Sequence, residues 1–478
     1  MLFGTSIVVL VGGIASSAIA ETVHGAVVFS RHGDRSSKHY SGYGLTSLGF
    51  EQNFQVGSSY RNRYLSSSSP QRIFNISEDT YVPSQIYATA PDQSVLINAA
   101  TAFLQGFYPP VGTENREITT QTLNNGSTTQ NPLNGYQYVF LHGADANSPD
   151  TIWLKGDDSC PAFTRASKSF EKSAEFQSKV ESTKSFYSGF WDLIDGVYDY
   201  TPDKMSYAKA YDIYDLISVA SIHNRSIPRN VTSEELFQLR TLADSAEFAY
   251  NFNASEPARA MGGKTLSGAI LKQLNQTVSS KGKLKFSLLT GSYDSFLAFF
   301  GLSGLISTSD NFFGLPDYAS SMAFELVTAE NTTEFPSDVN DLSVRFMFRN
   351  GSSGPLTSFP LFGRSETTTP WAEFVSQMKS RAITSPEQWC NMCNSQEDFC
   401  ALYGTSSTEN AEKSGENGGM SNAVAGVIGA MTTIGVVAIG GAIAFMLFRR
   451  RKQSVPLTQE SVTVNCEKGS ISSGNTGV

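Results

Sequence analysis

The chain has 478 residues and a formal net charge of −9. Its last segment, residues 449–478, carries five basic and two acidic side chains, so the rest of the chain has a net charge of −12. Such an acidic chain is not expected to bind nucleic acid, which requires a basic surface. Its length is sufficient for one large domain with a substantial core, or for two lobes.

The amino end predicts a secreted or membrane-anchored protein. Residues 1–20 are strongly apolar and contain no charged side chain. They end in Ala18-Ile19-Ala20, the small-x-small pattern of a signal-peptidase site. We therefore expect residues 1–20 to be a signal peptide that is removed before Glu21.

The first predicted strand runs into a cluster of charged residues. Residues 25–29 are apolar, and after one serine they are followed by Arg31-His32-Gly33-Asp34-Arg35. A buried strand that ends in this order brings two guanidinium groups and one imidazole to the same sheet edge, an arrangement suited to a phosphoryl group. The alternative is a surface turn without chemistry.

A helix is predicted next, with Thr46 as its N-cap and an end near Tyr64. The spacing of Leu48, Val56, Tyr60 and Tyr64 places these side chains on one face of the helix. The order of strand, loop and helix favours a parallel α/β sheet.

The middle of the chain is rich in helical patterns. They cover residues 162–197 and 206–222, and a capping box at Thr232-Ser233-Glu234-Glu235 starts a further helix. Because these helices interrupt a pattern of strands, we interpret the region of about 110–280 as a helical cap inserted into the sheet domain.

The sheet pattern resumes at residues 283–290, and the turn that follows contains Tyr293 and Asp294. Ligands of parallel α/β sheets bind beyond the carboxyl ends of the strands, and both His32 and Asp294 occupy that place. We therefore expect the two side chains to lie at one site. The alternative for Asp294 is a capping role at the helix that follows it.

The remaining elements complete one domain and lead to a linker. Residues 322–328 and 342–349 are strand candidates, and residues 370–382 predict a late helix. They close a predicted domain of residues 21–403. The Ser-, Gly-, Asn- and Glu-rich residues 404–422 predict a flexible stalk.

A second apolar segment predicts a membrane anchor. Residues 423–448 contain no charged side chain, and at about 1.5 Å per residue a helix of this length crosses a hydrocarbon core of about 30 Å. The basic residues that follow place residues 449–478 in the cytosol, so the large domain is expected at the cell surface. The spacing of Gly440 and Ala444 leaves self-association of the span open.

Cysteines and glycosylation motifs agree with an extracellular domain. Four cysteines outside the membrane, Cys160, Cys390, Cys393 and Cys400, predict two disulfides with three alternative pairings. The Cys390-x-x-Cys393 spacing also allows a zinc or redox motif. The N-glycosylation motifs all lie between the signal peptide and the span, at Asn75, Asn125, Asn224, Asn230, Asn253, Asn275, Asn331 and Asn350.

The cluster around His32 is suited to phosphoryl transfer. An imidazole nitrogen attacks phosphorus and forms a phosphohistidine that water later opens. Arg31 and Arg35 offset the charge on the phosphoryl oxygens, so no metal and no other cofactor is expected. Asp294 is the candidate general acid that protonates the leaving alcohol.

Arg31 to Ser36 resembles the signature of the histidine acid phosphatases, a branch of the histidine phosphatase superfamily that includes secreted acid phosphatases and phytases. The similarity covers most of residues 22–403. Further pieces that match in order and spacing are Leu45-Thr46, Gly49, Gln52, Gly57, Arg61-x-Arg63-Tyr64, Leu104-Gln105-Gly106-Phe107, Cys160-Pro161 and Trp389-Cys390.

The resemblance implies a phosphoglycerate-mutase-like α/β core, with a parallel sheet and an inserted helical cap, that hydrolyses phosphomonoesters at acidic pH without a metal. It also implies roles for individual residues. His32 is the nucleophile, Arg31 and Arg35 bind the phosphate, and Asp294 donates the proton.

The chain departs from the family pattern at positions that contact phosphate. Tyr293 stands where the family has a histidine, and two arginines of the family segment are replaced by Tyr87 and Gln93. A charge-assisted contact contributes roughly 1.5–3 kcal/mol, and neutral phenols supply only part of it. Tyr293 and Tyr87 are therefore candidate substrate-binding residues of reduced strength. Ser37 replaces a common proline.

Three functions are compatible with the complete cluster and the missing contacts. The first is a cell-surface phosphatase of reduced or altered activity, supported by the complete Arg31 to Arg35 cluster and by Asp294. The second is a catalytically inactive pseudophosphatase that serves as a binding or signalling ectodomain, supported by Tyr293, Tyr87 and Gln93. A glycosylated structural protein is a third, which predicts no binding of phosphate.

Overall fold

The computed structural model of the protein describes residues 21–113, 115–224 and 230–403. The predicted signal peptide, stalk, membrane span and cytosolic tail lie outside these residues. Within the described ranges, no helix combines the length and apolar character that a membrane span needs.

The predicted strands and helices occur in the predicted order, and further elements lie between them. The strands are β1 (Thr22–Arg31), β2 (Ile86–Pro91), β3 (Thr120–Thr122), β4 (Thr128–Gln130), β5 (His142–Ala144), β6 (Phe286–Gly291), β7 (Ser321–Thr328), β8 (Ser343–Arg349), β9 (Thr357–Ser358) and β10 (Thr368–Pro370). The helices are α1 (Ser47–Tyr64), α2 (Ser94–Phe107), α3 (Pro132–Gly135), α4 (Pro161–Glu171), α5 (Ala174–Ser188), α6 (Trp191–Ile194), α7 (Ala210–His223), α8 (Ser233–Asn251), α9 (Met261–Ser279), α10 (Tyr293–Leu302), α11 (Trp371–Lys379) and α12 (Pro386–Cys393).

The main sheet has the strand order β10-β8-β7-β1-β6-β2-β5, and β9 pairs with β8. Strands β1, β6, β2 and β5 are parallel, which confirms the predicted parallel core. Strands β7 to β10 are paired antiparallel, a feature that the sequence pattern did not show. The sheet is therefore mixed, with β1 at the boundary between its parallel and antiparallel halves.

Strand β1 is buried on both faces, as expected for a strand inside a covered sheet. Val27 and Phe29 pack in the cluster that contains side chains of α9 and α10. Val28 points to the opposite side and packs with side chains of α1 and α2. Helices on both faces thus fix the direction in which β1 delivers His32.

Helix α1 begins as predicted, because the Thr46 hydroxyl accepts a hydrogen bond from the Gly49 amide at 3.2 Å. Val56, Tyr60 and Tyr64 are buried on one face. The assignment of Leu48 to that face was wrong, since Leu48 is 43% exposed. In this part of the helix the buried residues are Gly49 and Asn53, and Leu48 lies to one side of them.

The cap consists of α4 to α8, which share a separate apolar cluster. Thr232 and Glu235 form the predicted capping box at the start of α8. Two elements inside residues 110–280 belong to the sheet domain: β5 joins the edge of the main sheet, and α9 packs against β1 and α10.

The disulfides join Cys160 to Cys393 and Cys390 to Cys400. This arrangement selects one of the three pairings that the sequence left open. It also places Cys390 and Cys393 in different disulfides, so their spacing is not that of a zinc or redox pair.

Replacing both Cys160 and Cys393 by alanine is expected to lower the free energy of unfolding by about 2–4 kcal/mol, because this disulfide closes a loop of 233 residues in the unfolded chain. Urea unfolding followed by circular dichroism measures the change. Replacement of Cys390 and Cys400, which are 10 residues apart, is the control with a smaller expected loss. An equal loss in both variants would contradict the loop-length argument.

Candidate active site

The carboxyl ends of β1 and β6 bring the two predicted catalytic residues together. The strands are parallel, and Arg31 lies opposite Gly291 in their register. His32 therefore follows β1 at the level where Ser292, Tyr293 and Asp294 follow β6. We call this place the β1/β6 edge.

The loop after β1 is fixed to helix α1 by hydrogen bonds. Asn53 is fully buried; its side chain accepts from the Gly33 amide at 2.7 Å and donates to the Arg31 carbonyl at 3.1 Å. Gly33 also lies close to α1, since a Cβ on it would stand 2.4 Å from the Gly49 carbonyl oxygen. Only glycine fits here, and the contact holds His32 in one position.

His32 is 2% exposed, and its Nδ1 donates to the Gly33 carbonyl at 2.8 Å. Because a carbonyl only accepts, Nδ1 carries the proton and Nε2 keeps its lone pair. Burial, followed by the charges of Arg31 and Arg35, holds the pKa of His32 well below its usual value of 6.5. The imidazole thus stays neutral in acid and presents Nε2 as a nucleophile.

Arg31 lies against two aromatic rings and keeps part of its guanidinium unused. Its carbon Cζ is 4.7 Å from the ring centroid of Tyr318 and 5.2 Å from that of Tyr293. Nη1 donates to the Pro316 carbonyl, and the buried Nε has no hydrogen-bond partner among the described residues. An anionic ligand bound beside His32 would give the Arg31 guanidinium a hydrogen-bond acceptor.

Arg35 is held by an ion pair that the sequence did not reveal. Its fully buried guanidinium donates from Nη2 to Asp215 Oδ1 at 2.8 Å and to the Tyr211 hydroxyl at 3.0 Å. Asp215, on cap helix α7, is 4% exposed and also accepts from Ser37 Oγ at 2.8 Å and from the Lys38 amide at 3.0 Å. Ser37 therefore gives Asp215 a hydrogen bond that a proline could not.

Asp34 links the same loop to the end of α7. It is fully buried and accepts from the Thr46 hydroxyl and from His223 Nε2, the latter at 2.6 Å. His223 lies outside the motifs of the sequence, and no role is predicted for it. The structure instead places it between the cap and the loop that carries His32.

Tyr293 is present at the β1/β6 edge, but its hydroxyl points to the cap. It donates to Glu247 Oε2 of α8 at 2.9 Å, and the ring packs 5.0 Å from that of Tyr211. Burial and the nearby Glu247 raise the pKa of Tyr293 well above 10. The residue therefore stays neutral, and its hydroxyl is already bonded to a protein group.

Asp294 lies within the first turn of α10, where its Oδ1 accepts from the Ser295 amide at 2.8 Å. The N-cap is Ser292, so the alternative capping role does not describe Asp294. Burial lowers the pKa of Lys38, and the charge of Asp294 opposes this shift. The same charge helps to raise the pKa of Lys155 against the effect of burial, and it adds to burial in raising the pKa of Asp157. Asp294 thus lies near two ammonium groups and two carboxyl groups, those of Asp157 and Glu247.

The structure does not bring Tyr87 to the other predicted site residues. Tyr87 pairs in register with Ser287, four residues before the end of β6, which corresponds to about 13 Å along the strand. Its ring stacks on His142 with centroids 5.1 Å apart. The predicted phosphate contact of Tyr87 is therefore not supported, because the part of this segment that reaches the strand ends is Gln93, at the start of α2.

Comparisons with known proteins identify the family of the chain. The profile described as the histidine phosphatase superfamily (branch 2) matches residues 37–349, about two thirds of the chain. The chain belongs to this superfamily branch. The matched range begins after His32, so the assignment is independent of the Arg31 to Ser36 signature. Hydrolysis of phosphomonoesters is supported at the level of the family.

Acid phosphatases are among the proteins to which the chain is similar. Mouse prostatic acid phosphatase is 25% identical over 311 residues, which are 62% of this chain and 72% of the mouse protein. Lysosomal acid phosphatase of Xenopus laevis is 25% identical over 338 residues, covering 67% of this chain and 68% of that protein.

Solved structures show the same fold. The apo form of Hafnia alvei phytase matches with a TM-score of 0.51 and 12% identity, over 77% of this chain and 98% of the phytase. Klebsiella sp. ASR1 phytase matches with a TM-score of 0.50 and 12% identity, over 76% of this chain and 96% of the other. These likenesses confirm the predicted α/β fold with a parallel-sheet core.

Several groups at the site of this histidine phosphatase lie far from His32 in sequence. Asp215, Glu247 and Lys155 come from segments with no motif of their own. Only Asp215 could have been found from the sequence. It stands beside Leu216 on the apolar side of a predicted helix, and a carboxylate that is buried there needs a charged or hydrogen-bonding partner.

Glu247 gives the histidine phosphatase a stability that depends on pH. Burial raises the pKa of Glu247 from 4.5 to about 7, although Tyr293 and Lys38 oppose the rise, and Asp294 and Asp212 add to it. The folded state therefore holds a proton that the unfolded state has released. This stabilisation is complete below pH 4.5 and is lost as the pH rises through 7.

The Glu247→Gln variant is expected to lack this titration. The free energy of unfolding of the wild type, relative to the variant, should fall by roughly 3 kcal/mol between pH 4.5 and pH 7.5. Urea unfolding at several pH values measures it. A constant difference between the two proteins would show that Glu247 titrates at its ordinary pKa.

Proposed function

We propose that the protein is a cell-surface phosphomonoesterase of reduced activity that acts through a phosphohistidine on His32. The observation that carries the proposal is the state of the imidazole. Its Nδ1 is committed to the Gly33 carbonyl, which leaves Nε2 unprotonated beside Arg31. This is the form of histidine that attacks phosphorus.

The reaction has two steps. In the first, His32 Nε2 forms a bond to phosphorus, the ester P–O bond breaks, and protonated Asp294 gives its proton to the leaving alkoxide. In the second, Asp294 takes a proton from water, whose oxygen attacks phosphorus, and the P–N bond breaks. Phosphate leaves, and His32 is again neutral. Arg31 offsets the charge on the phosphoryl oxygens in both steps.

The proposal of reduced activity rests on the contacts of two residues. Arg35 is paired with Asp215, and Tyr293 directs its hydroxyl to Glu247. Each loss of a charged contact in a transition state of phosphoryl transfer slows the reaction, by about 10²–10³-fold where a well-placed donor is removed.

The Tyr293→His variant is expected to raise kcat/KM for an aryl phosphate about 10-fold, because a protonated imidazole supplies a charge that the phenol lacks. Steady-state kinetics at pH 5 measures the gain. Tyr293→Phe is the control, which removes the hydroxyl without adding charge. A similar gain in both variants would mean that loss of the Glu247 contact, and not the new charge, changes the rate.

The location at the cell surface is supported by the sequence pattern alone. The apolar residues 1–20 and 423–448 flank the domain, and basic residues follow the second of them. In a tagged full-length protein, we expect the amino-terminal side to be open to protease on intact cells and residues 449–478 to be protected. Protection of both sides would contradict this location.

Trapping of the intermediate tests the catalytic proposal. Purified full-length protein is mixed briefly with a ³²P-labelled aryl phosphate and quenched in base, in which phosphohistidine is stable. We expect label on the wild type and none on His32→Ala. Turnover without labelling of the protein, or labelling of His32→Ala, would overturn the proposal.

An inactive phosphate-binding pseudophosphatase is the second candidate, favoured by the Arg35–Asp215 and Tyr293–Glu247 contacts. It predicts that vanadate or phosphate raises the melting temperature of the wild type while no turnover that depends on His32 is detected. Measurable turnover that His32→Ala abolishes excludes this candidate.

A further inference from the structure

A buried lysine outside the predicted motifs reaches the β1/β6 edge. The carbonyl oxygen of Leu154 lies 3.9 Å from the point where a Cβ on Gly291 would stand, so this segment crosses the end of β6. Lys155 is the next residue. Its side chain is 12% exposed, which is unusual for lysine and calls for an anionic partner.

The segment that carries Lys155 is held on its other side. The Gly156 carbonyl accepts from Trp389 Nε1 at 2.7 Å, and Trp389 is 1% exposed. Trp389 shares an apolar cluster with the cysteines of both disulfides. Lys155 therefore projects from a fixed backbone and not from a mobile loop.

The surroundings of Lys155 keep its amine charged. Burial alone would lower its pKa, but the carboxylates of Asp294, Asp158 and Asp157 more than reverse this effect. The distance to Asp158 Oδ2 is 3.6 Å, and Asp158 is 56% exposed, so this partner is largely in solvent. A cation therefore stands beside the proposed acid of the reaction at every pH at which the protein is folded.

Lys155 also shares a cavity with Gln93. The cavity has a volume of about 120 Å³, and both residues line it. Its lining also includes Thr151 and three acidic residues, Asp92, Asp158 and Glu397. Gln93 occupies the position where the resemblance predicts a phosphate-binding arginine. Lys155 thus approaches, from another segment, the place at which that positive charge is missing.

We propose that Lys155 binds the substrate phosphate and supplies the charge that the chain lacks at position 93. The proposal rests on the proposed function, since it concerns the same site. Lys38 lies in the same group of cations, because the charge of Lys155 is among the effects that lower its pKa, after the larger effect of burial around its amine. Repulsion between these ammonium groups is relieved when a phosphate lies between them.

The alternative is that Lys155 only holds Asp294 in place, and the two roles predict different results. A phosphate-binding residue affects binding of phosphate itself and the hydrolysis of every ester. A residue that only positions Asp294 affects esters with a poor leaving group, such as an alkyl phosphate, and leaves p-nitrophenyl phosphate and phosphate binding unchanged.

The Lys155→Met variant of the full-length protein tests this, because methionine keeps the apolar stem and removes the charge. We expect the Kd for inorganic phosphate, measured by calorimetry, to rise about 10- to 100-fold. Lys272→Met is the matched control, since Lys272 packs on Trp153 in a neighbouring cavity without Gln93. Its Kd should stay within twofold of the wild type.

A second pair of variants makes the test independent of how well Lys155→Met folds. Gln93→Arg alone should change the Kd by less than threefold, because Lys155 already supplies the charge there. Added to Lys155→Met, the same substitution should restore most of the lost affinity. A gain of 10-fold or more from Gln93→Arg alone would overturn the proposal.

Three further results overturn it: unchanged phosphate affinity in Lys155→Met, an effect confined to alkyl phosphates, or no phosphate binding by the wild type. Because binding is measured without turnover, these results are separate from the phosphohistidine trapping. The protein can bind phosphate through Lys155 even where no labelled intermediate forms. A labelled intermediate together with unchanged phosphate affinity in Lys155→Met would support the proposed function and overturn the role of Lys155.

Discussion

The His32→Ala variant is expected to lose phosphomonoesterase activity by on the order of 10⁴-fold, since removal of a nucleophile leaves only binding and electrostatic contributions. The described residues offer no second imidazole in its place, because the four other histidines contact other groups. These contacts are His24 with Thr328, His39 with the Tyr198 ring, His142 with the Tyr87 ring and His223 with Asp34.

Hydrolysis of p-nitrophenyl phosphate at pH 5 measures the loss, with protein expressed and purified in the same way. His142→Ala is the matched control, because His142 is exposed and lies in a neighbouring cavity. Its activity should remain within twofold of the wild type. Equal rates in His32→Ala and the wild type would mean that the hydrolysis comes from a contaminant or from another site.

The lowered pKa of His32 predicts how the activity of the wild type depends on pH. A nucleophilic histidine is inactive when protonated, and an ordinary histidine is mostly protonated below pH 6.5. Burial and the two arginines keep His32 neutral below that value. Because kcat/KM reports the ionisation of the free enzyme, the wild-type kcat/KM should show no loss from protonation of His32 near pH 6.5. A titration near 6.5 would indicate that the imidazole is more open to water than the structure shows.

The sequence predicted the meeting of His32 and Asp294 because parallel strands share an edge. Apolar residues 25–29 and 283–290 indicate the strands, and the polar residues that follow each of them must then lie at the same end. The antiparallel half of the sheet could not be predicted in this way, because the apolar pattern of a buried strand does not show in which direction the strand runs.

The error at Tyr87 has a physical cause. Sequence similarity assigns a residue to a strand, but its position along the sheet depends on how that strand pairs with its neighbour. The observed register places Tyr87 beside Ser287. The hydrogen-bond partners of Arg35 and Tyr293 could not be predicted from the sequence either. These partners, Asp215 and Glu247, lie on cap helices whose packing against the sheet domain depends on tertiary contacts and not on a local sequence pattern.

The Asp215→Ala variant is expected to lower the free energy of unfolding by about 3–5 kcal/mol. Asp215 is the only carboxylate that the described structure places in an ion pair with Arg35, and both side chains are buried. Removal of one partner leaves an uncompensated buried charge, which costs more than the pair itself contributed. Ser37 and the Lys38 amide lose an acceptor in the same variant.

The same variant shows whether Arg35 reaches substrate. With Asp215 absent, Arg35 lacks an anion, and bound phosphate can provide one, so saturating phosphate should stabilise Asp215→Ala more than it stabilises the wild type. Urea unfolding with and without phosphate measures both values. Asp212→Ala, on the same helix but 44% exposed, is the control. Equal stabilisation of Asp215→Ala and the wild type by phosphate would assign Arg35 to the attachment of the cap, and would leave Arg31 and the lysines as the cations of the site.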